Sequence, residues 1–283
     1  MKKTLAEKII TWTAFVIFLL YAVTLVFPYI WMLINSLKTH QEFFQDIWGL
    51  PKSWMFSNYS EALSIKVGKF TFLDVLGNSI IYTVISTFLS VFFPTVSAYI
   101  CSKYKFKLRS MCIAFTLINI SVPIVGSTAA TFKLFKTLSL YDKWYWGLFI
   151  MGSGGLGGSY LLLKAALDNT SWTYAEAGFI DGASDILVMF KIMLPMITPV
   201  IIIMTIMGAI GAWNNYMSIW LYAPSYPTIG VALKQLTDNL SSADASYPKL
   251  FALMAISLVP VMAVFISFQK TIMNNFALGG LKG

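Results

Sequence analysis

The chain has 283 residues, of which 58% are apolar and only 11% charged, and its mean hydropathy is +0.73. Soluble domains carry about 25% charged residues, so this composition excludes an ordinary soluble domain. The formal charge of +8 does not point to nucleic acid, because the basic residues are scattered through loops rather than gathered on one face, and the enrichment of Lys and Arg in cytoplasmic loops of membrane proteins accounts for them.

A helix needs about 20 apolar residues to cross the hydrocarbon core of a bilayer. Hydropathy predicts an all-α polytopic membrane protein, one domain over 1–283, with six transmembrane helices at about 9–34, 72–100, 111–132, 144–163, 196–222 and 250–268. The first apolar run is too long for a signal-peptide core and has no small-residue cleavage site behind it, so it reads as a retained span.

Lys2, Lys3 and Lys8 precede that span, and Lys103, Lys105, Lys107 and Arg109 crowd the short loop after the second. Both regions are expected in the cytoplasm, which puts both termini there, together with the loop at about 164–195. Lys38, Lys52, Lys66 and Lys69 oppose this orientation but lie in a long loop, where charge counts weakly. That loop also holds Trp48, Pro51, Trp54 and Tyr59 and reads as an external lateral helix with flanking loops. Cys101 and Cys112 sit near one membrane face beside the basic loop, where free thiols are expected.

No Gly-x-x-x-x-Gly-Lys-Ser/Thr sequence occurs, and Gly68-Lys69 is followed by Phe70. The chain therefore lacks a phosphate-cradling loop of that type. The single histidine, His40, reads as a surface residue, and no Cys or His pair has metal-ligand spacing. Gly152-Ser153-Gly154-Gly155-Leu156-Gly157-Gly158 lies within the predicted fourth span and follows no strand, so helix packing, a bend or a gate explains it better than a nucleotide loop.

The polar stretch from Trp172 to Lys191 reads as two short helices with a bend permitted by Gly178 and Gly182. Glu176, Asp181 and Asp185 supply negative charge and hydrogen-bond acceptors for basic or backbone donors. Pro195 suits the first turn of the next span, where its missing N–H costs little.

These residues carry a resemblance. Glu176, Ala177, Gly182, Ile192, Leu194 and Pro195 fall in register on the pattern Glu-Ala-Ala, three residues, Gly, nine residues, Ile-x-Leu-Pro, with Gly178 in place of the second Ala. The loop resembles the coupling loop of binding-protein-dependent ABC import permeases. Ile180-Asp181-Gly182-Ala183-Ser184 looks like that of carbohydrate importers, and Ala212-Trp213-Asn214-Asn215-Tyr216 resembles their fifth-span segment. Asn35-Ser36-Leu37-Lys38 matches their usual opening after the first span. The ending Ala277-Leu278-Gly279-Gly280-Leu281-Lys282-Gly283 is similar to the tails of the maltose-type second permease subunit.

The resemblance implies a non-catalytic membrane subunit that binds no cofactor, with ATP and Mg held by two cytosolic ATPase subunits. It also implies a homologous companion permease in a heterodimer and an external solute-binding protein. Glu176, Ala177, Gly178, Asp181, Gly182, Ala183, Ile192, Leu194 and Pro195 are the expected ATPase-coupling residues. Gly279, Gly280, Lys282 and Gly283 form a tail expected at the ATPase interface. The glycine at 178 would remove one methyl from the docking face and loosen the first helix.

A sugar presents hydroxyl edges and apolar C–H faces, so its path wants aromatic plates beside amides and hydroxyls. Trp213, Asn214, Asn215, Tyr216 and Ser218 supply that mixture, with Asn78, Ser79 and Asn119 as further candidates; helix packing is the competing role for all of them. On a continuous helix Asn214 and Asn215 point about 100° apart, so one is expected to brace a neighbour while the other faces the path. A stand-alone ion-coupled transporter is the rival class, but such proteins place ionisable groups within spans, and here only Asp74 lies near a span edge.

Overall fold

The computed structural model describes residues 4–122, 126–143, 156–239 and 246–279. It is predominantly helical. In chain order come α1 (Leu5–Ser36), α2 (His40–Gln45), α3 (Ser57–Leu63), an antiparallel ribbon of β1 (Lys66–Val67) and β2 (Phe70–Thr71), α4 (Phe72–Lys103), α5 (Arg109–Ser121) and α6 (Ser127–Thr137). After these follow α7 (Gly158–Asp168), α8 (Thr173–Ile180), α9 (Asp185–Val188), a π-helical turn (Met189–Met193), α10 (Leu194–Met196), α11 (Thr198–Asn214), α12 (Met217–Tyr222), α13 (Ile229–Asp238) and α14 (Tyr247–Gly279).

Among the described residues three helices are long and apolar enough to cross a membrane: Leu5–Ser36, Phe72–Lys103 and Tyr247–Gln269. A fourth crossing results if Asp185–Met196 and Thr198–Asn214, bent by 82°, count as one span. α1 begins with a capping box in which Thr4 Oγ1 accepts from Glu7 N–H and the Glu7 carboxylate accepts from Thr4 N–H, satisfying two orphan donors. Its apolar side chains are exposed along almost the whole helix, a surface suited to hydrocarbon rather than water.

The structure departs from the sequence expectations in several places. The all-α expectation misses the short β ribbon, and the single lateral helix after the first span is two helices, α2 and α3. The predicted third span, 111–132, is divided into α5 and α6; Pro123 falls between them in the sequence, and a proline withholds an N–H and disfavours helical geometry in the residue before it. The predicted fourth span, 144–163, lies largely outside the described residues, as does Gly152–Gly155. The predicted fifth span, 196–222, breaks after Asn214 and resumes at Met217. The sixth agrees with the apolar stretch Tyr247–Gln269, and the helix that contains it, α14, continues to Gly279; Gly280, Lys282 and Gly283 lie outside the described residues.

Contacts divide the chain into two compact units, Met1–Phe72 with Gln235–Val259, and Leu73–Lys234 with Pro260–Gly283. In the first, the Asn35-Ser36-Leu37-Lys38 segment is a knot of buried polar groups. Asn58 Nδ2 donates to the carbonyls of Ser36 and Lys38, both at 2.8 Å, and the Ser36 and Tyr59 hydroxyls lie 2.7 Å apart. The fully buried Lys38 places its ammonium 2.7 Å from the Asp46 carbonyl, and buried polar groups with partners are tolerated where unpaired ones are not. Phe43 stacks on Tyr247 at 5.2 Å and meets the edge of Phe251 at 5.6 Å. A 2.7 Å ion pair joins Glu61 and Lys249.

The second unit holds the loop singled out by the sequence. Tyr160, Leu163 and Leu167 of α7, Ala175 of α8, Val188, Met193 and Ile197 form its buried core together with Ala98 and Tyr99 of α4. Full burial of one such aliphatic side chain contributes about 1.5–3 kcal/mol, so a short polar loop is fixed by an apolar underside.

Candidate functional site

The loop folds as α8, a turn, and a second helical stretch from Asp185 to Met196. α8 ends in a complete Schellman motif: Ala183 N–H reaches the Gly178 carbonyl at 2.9 Å and Gly182 N–H reaches the Phe179 carbonyl at 3.0 Å. The motif demands a left-handed residue at its turn, and Gly182 takes φ of +81°. The predicted bend at Gly182 is thus a helix stop with a defined geometry.

Gly178 plays another part than expected. It is buried, and a Cβ on it would lie 2.5 Å from Ile192 Cδ1 and 3.2 Å from Val188 Cγ2. The residue therefore faces the second helical stretch rather than outward, and it brings the two helices together instead of loosening the first. That corrects the reading of a methyl removed from an outer face.

Pro195 also sits differently. The turn before it is π-helical, with Leu194 N–H bonded to the Met189 carbonyl. A proline that supplies no N–H and crowds the preceding turn favours such a widened turn. The chain then bends by 82° at Ile197, and α11 starts with Pro199 in its first turn. Pro195 stands in the first turn of the three-residue α10 before that bend, and Pro199 in the first turn of α11.

Glu176, Ala177, Asp181 and Pro195 are exposed, Ala183, Ile192 and Leu194 are half-buried, and apolar side chains stand among the carboxylates: Ile180 is 86% exposed and Ile186 71%, with Tyr174, Leu187 and Phe190 also open. An acidic helix pair with bare isoleucines fits a partner cleft that has an apolar floor and basic or backbone donors at its rim.

Residues that sequence reading did not select hold this loop to the end of α4. Tyr104 Oη donates to Asp185 Oδ1 at 2.7 Å, Lys103 Nζ to the Thr170 carbonyl at 2.6 Å, and Ser102 Oγ to Asp168 Oδ1 at 2.6 Å. Lys164 completes the set with a 2.6 Å ion pair to Asp168. Trp172 packs between Tyr104 and Phe179, with ring centroids 6.0 and 5.9 Å away. Burial, followed by the hydrogen bonds to Asp185 and Tyr99, pushes the Tyr104 hydroxyl's pKa well above its ordinary value. At Asp168 burial is the largest single influence and opposes ionisation, but the hydrogen bonds from Lys164 and Ser102 and the nearby positive charges together hold the carboxyl below its usual range.

The predicted path residues do not share one surface. Asn215 lies at the break between α11 and α12, where its Oδ1 accepts from Ser218 N–H at 3.3 Å and its Nδ2 donates to Tyr82 Oη at 3.4 Å. It is the bracing member of the pair, as a cap rather than on a continuous helix, and Asn214 is exposed. Tyr216 abuts Gly230, where a Cβ would come within 3.0 Å of Tyr216 Cβ. Asn78 Nδ2 donates to the Pro227 carbonyl at 3.3 Å, and Ser79 Oγ accepts from Ile229 N–H at 2.6 Å, so both secure the start of α13. Trp213 is half-buried and Asn119 exposed on α5. Cys101 and Cys112 are free thiols. Among the described residues no group of three His, Cys, Asp or Glu side chains is placed to hold a metal ion.

The fold is one found in an ABC transporter. It superposes on a chain from the crystal structure of a bacterial ABC transporter involved in the import of the acidic polysaccharide alginate, with a TM-score of 0.83, 23% identity, and coverage of 95% of this chain and 99% of that one. No protein-family model matches the chain. Full-length relatives include the probable ABC transporter permease protein YurM of Bacillus subtilis, 26% identical over 274 residues that span 96% of this chain and 88% of YurM. The arabinooligosaccharides transport system permease protein AraQ of the same organism is 26% identical over 271 residues, 94% of each chain. These similarities bear out the resemblance carried by the loop: over nearly its whole length the chain is similar to proteins named as ABC transporter permeases.

Proposed function

We propose that this chain is one of two membrane subunits of an ATP-driven importer that moves a di- or oligosaccharide inward from an external binding protein. A homologous permease pairs with it, and two cytosolic ATPase subunits hold ATP and Mg. In this reading six spans cross the cytoplasmic membrane with both termini inside, and the loop at 164–195 meets an ATPase subunit.

The observation that carries the proposal is the loop's construction: exposed Ile180 and Ile186 beside Glu176, Asp181 and Asp185, mounted on a buried underside. When the ATPase dimer closes, the docked helices move with it. The stretch from Asp185 to Met196 carries the motion to the bend at Ile197 and α11, while the Tyr104–Asp185 and Lys103–Thr170 hydrogen bonds carry it to α4. Alternating access follows if the two arrangements of these helices bind the ATPase states with different affinity. The tail from Gly279 to Gly283 reaches the ATPase interface in the same scheme.

The carbohydrate assignment is supported by Ile180–Ser184, by the Trp213–Tyr216 segment and by the name of AraQ. ATPase activity of the reconstituted complex tests it, with the cognate binding protein loaded in turn with candidate sugars. Stimulation by one loaded sugar is the expected result. Stimulation only by a non-sugar solute would overturn the carbohydrate part, and sodium- or proton-driven uptake by this chain alone would overturn the whole.

A further inference from the structure

Ser79, Tyr82, Thr83, Ser86, Thr87 and Ser90 recur along α4 at three- and four-residue steps, the spacing of a single helix face. They run through a helix apolar enough to cross a membrane. This face rests on the α11 end of the molecule at two places. Tyr82 Oη meets Asn215 Nδ2 at 3.4 Å, and eight residues on, Gly208 approaches so closely that a Cβ there would lie 3.1 Å from Ser90 Oγ and 3.6 Å from Thr87 Cγ2.

Hydroxyls in apolar helices ordinarily turn back to a carbonyl three or four residues earlier. Ser79 does so to Val75, Ser90 to Thr87 and Thr95 to Val91. Thr83 Oγ1 and Thr87 Oγ1 do not: both atoms are buried, and neither has a hydrogen-bond partner among the described residues. Thr87 is 7% exposed and Ser86, beside Tyr82, 2%. Burying an unpaired hydroxyl is unfavourable, so each such group calls for a partner, which a water, a ligand or another arrangement of the helices supplies; Ser86 Oγ on the same face is also buried without one among the described residues.

We propose that the seam between α4 and α11 is a solute-contacting surface of the translocation path, closed in this arrangement, and that Thr83 and Thr87 exchange hydrogen bonds with a polyhydroxylated solute when it opens. Short hydroxyls donate and accept, so they serve sugar hydroxyls of differing spacing. The Tyr82 ring offers a flat plate to an apolar C–H face. A packing role alone would be served as well by valine, which has almost the same shape without the hydroxyl. The proposal rests on the chain being the permease of such a solute.

The test uses the whole reconstituted complex, with Cys101 and Cys112 of this chain replaced by alanine and T83C or T87C introduced singly. A small water-soluble methanethiosulfonate reagent is the probe, applied without nucleotide and after vanadate trapping. Modification at least tenfold faster in one state than in the other, and slowed by the oligosaccharide that stimulates the ATPase, is expected. Absence of modification at both positions in both states, in liposomes whose ATPase still responds to that oligosaccharide, would overturn the seam and leave the importer reading standing. A complex whose ATPase responds to no solute would remove both. T87V supplies a second readout: a raised KM for uptake is expected, whereas unchanged uptake with higher thermal stability would assign Thr87 to packing and refute the proposal.

Discussion

Gly178 and Ile192 are in direct apposition: a Cβ on the glycine would sit 2.5 Å from the isoleucine Cδ1. The glycine is a point of close contact between the two helical stretches of the loop, and the isoleucine fills the space that an alanine would use.

The pair makes a prediction that a double-mutant cycle reads. G178A gains about 1 kcal/mol of helix propensity but overpacks the contact, which costs roughly 1–3 kcal/mol. The net expectation is mild destabilisation. I192V removes the clashing methyl, so G178A in an I192V background should stabilise by up to about 1 kcal/mol. Thermal unfolding of the four purified chains measures the coupling, and additive effects would contradict the apposition.

Tyr104 and Asp185 test the attachment to α4. Y104F leaves the ring against Trp172 but deletes the 2.7 Å hydrogen bond, a bond of a kind that contributes about 0.5–1.5 kcal/mol. The expected phenotype is partial uncoupling: ATP hydrolysis persists while solute moved per ATP falls. A loss of both in equal proportion, with normal assembly, would indicate a purely structural bond.

Asp168 carries a pH dependence. Its folded-state pKa is depressed, so its contribution to stability is whole above the ordinary carboxyl pKa and is lost as pH falls through the lower folded value. Thermal stability of the chain in detergent should therefore decline on acidification across that window, and D168N should remove this portion of the decline. An identical acid limb in both proteins would exclude Asp168 as its source.

Ile180 and Ile186 separate docking from folding. Because both are highly exposed, I180E and I186E should change the stability of the isolated chain by within about 0.5 kcal/mol. Co-purification of the ATPase subunit should nevertheless drop severalfold. Retained co-purification would place the docking surface elsewhere.

Much of the loop was legible because its information is local. Gly182 stops a helix by its own backbone freedom, whereas the 82° bend that separates Pro195 from α11 was not legible. Gly178 was placed on the wrong face because the identity of its neighbour, Ile192, depends on how two helices fold back on each other. Ser102, Lys103 and Tyr104 look like ordinary members of a basic loop; their partners Asp168, Thr170 and Asp185 lie 66, 67 and 81 residues away. The aromatic Tyr104 inside a lysine-rich stretch was the one available signal. Hydropathy marked the apolar runs but not their interruptions, since Asn214 and Asn215 sit within a run apolar enough to average them away.

Import per ATP in proteoliposomes containing E176R, beside the unaltered chain, tests the loop's role as the mechanical link most directly. Glu176 is exposed, so the variant should fold and the complex should assemble, while binding-protein-stimulated ATPase and solute uptake should both be abolished. Full stimulation and full uptake by the assembled E176R complex would contradict the account.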